Sequence, residues 1–157
     1  LFRSSQKKLV ELITVINNPI NISLYRGTSP PDTEDGDGRK ISDGPLYAPA
    51  TINSIASNNK FQFWSNGAIT DQRKWMLTVE YAAYLVQEAM KHGKFRNSEW
   101  CLAKPGGPWA ACDVYLVTVK EWIKASNKEM AITYYLKFAI SKTGQMLLSA
   151  SNHPERT

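Results

Sequence analysis

Lys120, Trp122 and Lys124 are the residues whose types and spacing most suggest chemistry. Two apart on an extended chain, they fall on one face, an indole flanked by two ammonium groups. Such a face can hold a nucleic-acid backbone and stack a base. It can equally anchor a protein contact, because Trp is enriched at binding hot spots, or be an ordinary solvated strand face. Lys94, Arg96, Lys104 and Lys128 extend the basic patch if the fold brings them near, and Trp109 is a second candidate for the contact surface. Cys101 and Cys112 bracket a loop in which Pro105 to Pro108 would reverse the chain. A disulfide there would add on the order of 3 kcal/mol in the chain-entropy model. Two buried thiols are the alternative. The disulfide is the favoured expectation, and with it an oxidising compartment, periplasmic or secreted.

Other chemistry is thin. His92 closes a helical stretch, where it can simply complement the helix dipole. His153 lies in a tail expected to fray from Asn152. Glu80 and Glu88 are too far apart on a helix for a paired-carboxylate site and read as its wet side. Asp32, Glu34, Asp35 and Asp37 invite a calcium reading, but with Asp35 and Asp37 at loop positions three and five, position twelve is Gly44. The bidentate acid of a calcium loop is missing, and a solvated acidic loop is expected. The cysteines and histidines lack zinc-finger spacing. No phosphate-gripping glycine motif, nucleophile elbow or His-Glu-x-x-His occurs. No metal and no cofactor are expected. If the chain is an enzyme, a basic, metal-independent RNA-cleaving domain is the class its residues suit, with His92, Lys120, Lys124 and Tyr135 as candidates for proton transfer and phosphate contacts.

The elements that must position these residues lie in the second half of the chain. From Glu129 to Ser141 the even positions are Met130, Ile132, Tyr134, Leu136, Phe138 and Ile140. Alternation of this kind marks a strand with one apolar face, and a slip of one residue would expose all six. Asp113 to Lys124 begins as a continuous apolar run, as in a strand covered on both faces, and turns amphipathic after Val119. Ser126-Asn127-Lys128 and Lys142-Thr143-Gly144 are hairpin turns, Gly144 being the expected positive-φ residue. With Met146 and Leu148 the meander reaches Ser151. One long helix is predicted over Asp71–Gly93, capped by Thr70, with Trp75, Val79, Ala82, Ala83, Val86 and Met90 as its main stripe.

Upstream, Leu9, Leu12, Ile13 and Ile16 have helical spacing, ended by Asn17-Asn18-Pro19. Ile20 to Tyr25 alternates as a strand, and the sequon at Asn21-Ile22-Ser23 is discounted inside it. Gly27–Pro49 reads as a loop, Thr51–Asn59 as a short helix or irregular, and Phe61–Trp64 as a short strand. Asn66-Gly67 is a turn signal. Lys94–Ser98 is expected to be a basic connector, and Glu99–Lys104 a short strand. The chain of 157 residues suits one domain: helix and strand over 1–26, a long loop with short elements over 27–69, and helix plus meander over 70–151. Residues 1–70 carry 7 basic and 6 acidic side chains, and residues 71–157 carry 12 and 8. The mild positive excess is compatible with an anionic partner. A first residue other than Met reads as a processed or excised chain. No apolar run approaches the ~20 residues of a membrane span.

The expected fold class is therefore α+β: a long helix packed on a curved antiparallel sheet, with an extra N-terminal helix and strand. In element order, residues 70–151 look like the cystatin-like and nuclear-transport-factor-2-like group. The same order occurs in periplasmic domains of bacterial secretion and conjugation subunits, in protease inhibitors and in small basic ribonuclease toxins. The functional expectation that follows is a non-enzymatic, extracytoplasmic protein-interaction domain, such as the soluble part of a membrane-anchored envelope-assembly subunit. A protein partner or self-association is expected, with nucleic acid as an alternative. A ribonuclease toxin and a protein inhibitor or immunity-type binder are the other readings.

Overall fold

The computed structural model describes residues 19–155, so the helix expected before Pro19 lies outside the described residues. The architecture is mixed α+β. Three helices, α1 (Pro49–Ser57), α2 (Asn66–Trp75) and α3 (Val79–His92), accompany six strands. The strands are β1 (Lys40–Ile41), β2 (Phe61–Phe63), β3 (Lys94–Leu102), β4 (Trp109–Ile123), β5 (Lys128–Ile140) and β6 (Leu147–Pro154). They form one open sheet in the order β1-β3-β4-β5-β6-β2. Neighbours are antiparallel except β2 and β6, which are parallel.

β4 and β5 form the centre, paired from Asp113↔Phe138 to Ile123↔Lys128. Direct partners share a face, so Tyr115, Val117 and Val119 lie beside Leu136, Tyr134 and Ile132. This is the apolar face predicted for β5, and it packs into one core with α1 and α3. Tyr134, Leu136, Phe138 and Ile140 are buried, whereas Met130 is exposed. α3 presents Ala82, Ala83, Leu85, Val86 and Ala89 to this core. Its small residues allow close approach, and each buried large side chain contributes roughly 1.5–3 kcal/mol.

The single long helix expected over Asp71–Gly93 is two helices. Met76 ends α2 in the left-handed region (φ 52°, ψ 44°), and Thr78 caps α3 by accepting a hydrogen bond from Tyr81 N–H at 3.0 Å. The unbroken apolar run through Trp75–Leu77 hid this break. α2 also starts earlier than predicted. Ser65, accepting from Ala68 N–H at 3.0 Å, is its N-cap, and the Asn66-Gly67 turn signal is the helix's first step.

α2 covers a sheet edge. β2 pairs with β6 only over Leu147–Ser149. Beyond that, Trp64 N–H donates to Ser149 O (3.0 Å), the Ser65 hydroxyl to Ala150 O (2.8 Å), and Asn152 N–H to the Asp71 carboxylate (2.9 Å). Edge groups that would otherwise invite another strand are thereby satisfied. β6 accordingly runs to Pro154, where fraying was expected. At the other edge, β3 begins at Lys94 and absorbs the predicted basic connector, with a bulge between Phe95 and Asn97.

The predicted strand at Ile20–Tyr25 survives as bridges. It wedges into the gap where β4 and β5 part: Ile22 N–H donates to Trp109 O and Leu24 N–H to Ile140 O, each at 2.9 Å. The Asn21 side chain bonds Tyr25 O and the Ser23 amide and hydroxyl, so the sequon asparagine is engaged in the fold.

Nearby, Ile41, Trp100, Trp109 and Ala111 make a second small core. The loop before α1 is fastened to it by Asp113, whose buried carboxylate accepts from Leu46 N–H (3.0 Å), Tyr47 N–H (3.2 Å) and the Ser98 hydroxyl (2.6 Å). Burial raises the Asp113 carboxyl above its ordinary 3.8, although all three bonds pull the other way. The folded state therefore holds this proton more tightly than the unfolded chain. The charged form costs stability above the raised value, and that cost is relieved as pH falls toward 3.8. Wild type should accordingly gain stability relative to Asp113→Asn as pH falls through this window. Denaturant melts of both proteins across it measure the difference.

Candidate functional site

β3 pairing ends at Lys94↔Leu116 and β6 pairing at Tyr134↔Pro154. Beyond these points Val117–Ile123 and Lys128–Thr133 continue as a two-stranded ribbon about 20 Å long. A 3₁₀ turn at Lys124–Ser126 and a left-handed Asn127 (φ 49°) close it. A bare two-stranded ribbon is marginal in water, and this one is braced against α3. Oε2 of Glu121 accepts hydrogen bonds from the Tyr81 hydroxyl of α3 and from the Tyr134 hydroxyl of β5, the latter at 2.7 Å. Burial, and then the Glu121 bond and charge, push both phenols well above their ordinary pKa, so both remain donors. Thr118 and Thr133 share a hydroxyl–hydroxyl bond of 2.7 Å across the ribbon.

One face of the ribbon carries Lys120 opposite Ala131 and Trp122 opposite Glu129; the other carries Glu121 opposite Met130. Lys120 and Trp122 thus share a face, as predicted. Lys124 leaves the strand in the 3₁₀ turn and does not continue the row. The elbow between α2 and α3 lies against the ribbon at Lys120–Trp122. Together they enclose a groove of about 490 Å³, walled by Trp75, Met76, Tyr81, Trp122 and Tyr134, with Glu121 among its lining. Large apolar side chains exposed to solvent gather around it. Met76 is 87% exposed and Trp122 61%, with Trp75 alongside. Tyr84 packs on Tyr81 (centroids 5.6 Å apart), and Met130 lies opposite Glu121.

Met76 is exceptional in its backbone as well. A left-handed conformation costs a residue with a Cβ about 1–2 kcal/mol, and this methionine buries little in return. We expect Met76→Gly to stabilise the protein by about 0.5–1 kcal/mol, the relief being partly offset by glycine's larger unfolded-state entropy. A rise in denaturation midpoint with an unchanged denaturant slope would show it. The wild-type residue is then strained for something other than folding.

The remaining sequence-predicted residues lie elsewhere. Trp109 is buried in the second core at 4% exposure, with the Arg39 guanidinium 5.0 Å from its ring centroid, so it does not belong to a contact surface. Cys101 and Cys112 are buried free thiols on adjacent strands, near each other but not at disulfide distance. Glu99, not Cys101, is the direct partner of Cys112, which leaves the sulfurs diagonal across the pair. Burial and a bond to Cys101 push the Cys112 thiol well up, holding it protonated. His92 is the last residue of α3, beside Glu88 (3.9 Å) and about 20 Å along the axis from Val79 and the groove. Tyr135 stacks on His153 (5.2 Å, 10°), on the opposite sheet face from Tyr134 and next to Lys137, which pairs with Glu99 at 2.5 Å. The structure therefore brings Lys120 and Trp122 together at the groove and leaves His92 and Tyr135 apart from them.

Sequence reasoning missed Glu121, Tyr81, Tyr134, Trp75 and Met76 as a group. One signal was available. Val117, Val119 and Glu121 share a face, so an acid occupies the apolar register of β4.

The architecture is thus a mixed α+β unit with a projecting ribbon and an aromatic groove beside it. Among the described residues, no helix is long and apolar enough to cross a membrane. No family model, curated protein or solved structure matches the chain.

Proposed function

We propose that this chain is a protein-interaction domain that acts outside the cytoplasm, as a subunit or adaptor of an envelope assembly, and docks its partner on the ribbon and elbow. The observation that carries the reading is the gathering of Trp75, Met76, Trp122 and Met130, all solvent-exposed, at the place where the sheet projects. An aromatic and thioether cluster around a concavity has the composition of a protein-binding surface. Nucleic acid suits the surface less well. Lys120, Lys124 and Lys128 on the ribbon are countered by Glu121 and Glu129, leaving little charge to neutralise phosphates. The RNA-cleaving reading needs His92 beside Lys120, and α3 separates them. Helix α3 laid on β3–β6 is the part that a cystatin-like or nuclear-transport-factor-2-like layout would share. The cysteines, as free thiols, lend the extracytoplasmic assignment no support.

The test is photo-crosslinking with benzoylphenylalanine at position 76 and, as a control, at the exposed position 53 on α1. Adducts with a partner or a second copy at 76 but not at 53 are expected. Equal yields at both positions, or none at 76, would remove the assignment.

A further inference from the structure

Glu121 is a carboxylate without an ion-pair partner among the described residues; Lys120, which also lines the groove, stands on the opposite face of the ribbon. Glu121 is half-buried in the groove, and Oε2 already holds the hydroxyls of Tyr81 and Tyr134. Oε1 accepts no hydrogen bond, and no ion pair reaches Glu121, among the described residues. Phenols donate to such a charge but do not neutralise it, and the second oxygen is left open to a cationic partner. The walls supply the rest of a cation site. The Tyr81 and Tyr134 rings stand edge to face (6.5 Å, 69°), and Trp75 and Trp122 border the opening. Aromatic faces attract ammonium groups. The Trp75 indole already does so at the rim, with Lys74 Nζ 5.2 Å from its centroid.

We infer that the groove receives a lysine side chain of the partner protein, its ammonium on Glu121 Oε1 and its aliphatic stem along Trp75 and Met76 of the elbow. This rests on the protein-interaction reading and names the chemistry of the contact. Lysine is favoured over arginine by the state of the carboxylate. A guanidinium is held best by both oxygens in a bidentate pair, and here one oxygen is already occupied by two donors. A point-charge ammonium needs only the free one.

The five tryptophans make the test direct. In ¹H–¹⁵N spectra the indole signals of Trp75 and Trp122 report on the groove, and those of buried Trp100 and Trp109 report on the fold. The probe is the capped peptide Ala-Ala-Lys-Ala-Ala, compared with its norleucine and arginine analogues. The lysine peptide is expected to shift the Trp75 and Trp122 signals saturably. The norleucine peptide, and Glu121→Gln titrated with the lysine peptide, should each bind about tenfold more weakly. The side-chain amide of that variant keeps a carbonyl acceptor for the two phenols, and unmoved Trp100 and Trp109 signals would confirm an intact fold. Equal binding of the norleucine peptide, equal binding to Glu121→Gln, or tighter binding of the arginine peptide would overturn the inference. If the lysine peptide moves neither indole while crosslinks at position 76 persist, the lysine assignment falls and the interaction reading stands. If crosslinks are absent too, both fall.

Discussion

Asp113→Ala should lower the unfolding free energy by about 3–5 kcal/mol, because it leaves several buried donors without an acceptor. Leu46 N–H, Tyr47 N–H and the Ser98 hydroxyl all point at this one side chain, which has no solvent exposure. Water cannot replace it without entering the space between β3, β4 and the loop before α1. The loss should also be local in its first stage. Tyr47 is held to β4 twice, by its amide on the Asp113 carboxylate and by its hydroxyl, which donates to Ala111 O at 2.6 Å. Releasing its amide frees the approach to α1, so hydrogen exchange at Leu46–Ala48 should accelerate before the centre of the sheet does. Asp113→Asn keeps one acceptor oxygen but turns an amide donor toward backbone donors. Its loss should be smaller but still clear. A variant with wild-type stability would mean that the carboxylate does not fasten this loop.

Trp122→Ala should behave in the opposite way. Its side chain is largely exposed on a ribbon face, opposite Glu129, and stability should change by only about 0.5 kcal/mol or less. Partner affinity should fall by about 2–4 kcal/mol, roughly 30-fold to 1000-fold, as for a central aromatic anchor. Most of that change should be in the dissociation rate. The contrast separates the two roles: Asp113 builds the fold that positions the ribbon, and Trp122 meets the partner. An affinity change of a few tenths of a kcal/mol would place Trp122 on the rim of the contact or outside it.

The sheet was legible in the sequence because its signals are local. The even-numbered apolar residues of β5 and the turn glycine Gly144, with φ +76°, each announce themselves within a few positions. The helices were less so. Trp75, Met76 and Leu77 continue an apolar stripe, and only the capping hydroxyls of Ser65 and Thr78 mark where the chain starts again. The candidate site was half legible. Lys120 and Trp122 could be seen on one strand face. Whether a strand extends past its neighbours depends on where β3 starts and β6 ends, which no periodicity within β4 reveals. Glu121 needed partners forty residues upstream and thirteen downstream before its role could be read. Trp109 and Cys101–Cys112 misled for the same reason: type and spacing pointed to surface and disulfide, and the wedge of Ile20–Leu24 and the β3–β4 register decided otherwise.

Hydrogen exchange of the protein, alone and with the partner captured at position 76, tests the central claim most directly. Protection on binding should fall on Trp75–Thr78 and on the ribbon from Lys120 to Met130, with the β1–β3 edge and α1 unchanged. Protection centred on the β1–β3 edge or α1, with the ribbon exchanging as in the free protein, would contradict it.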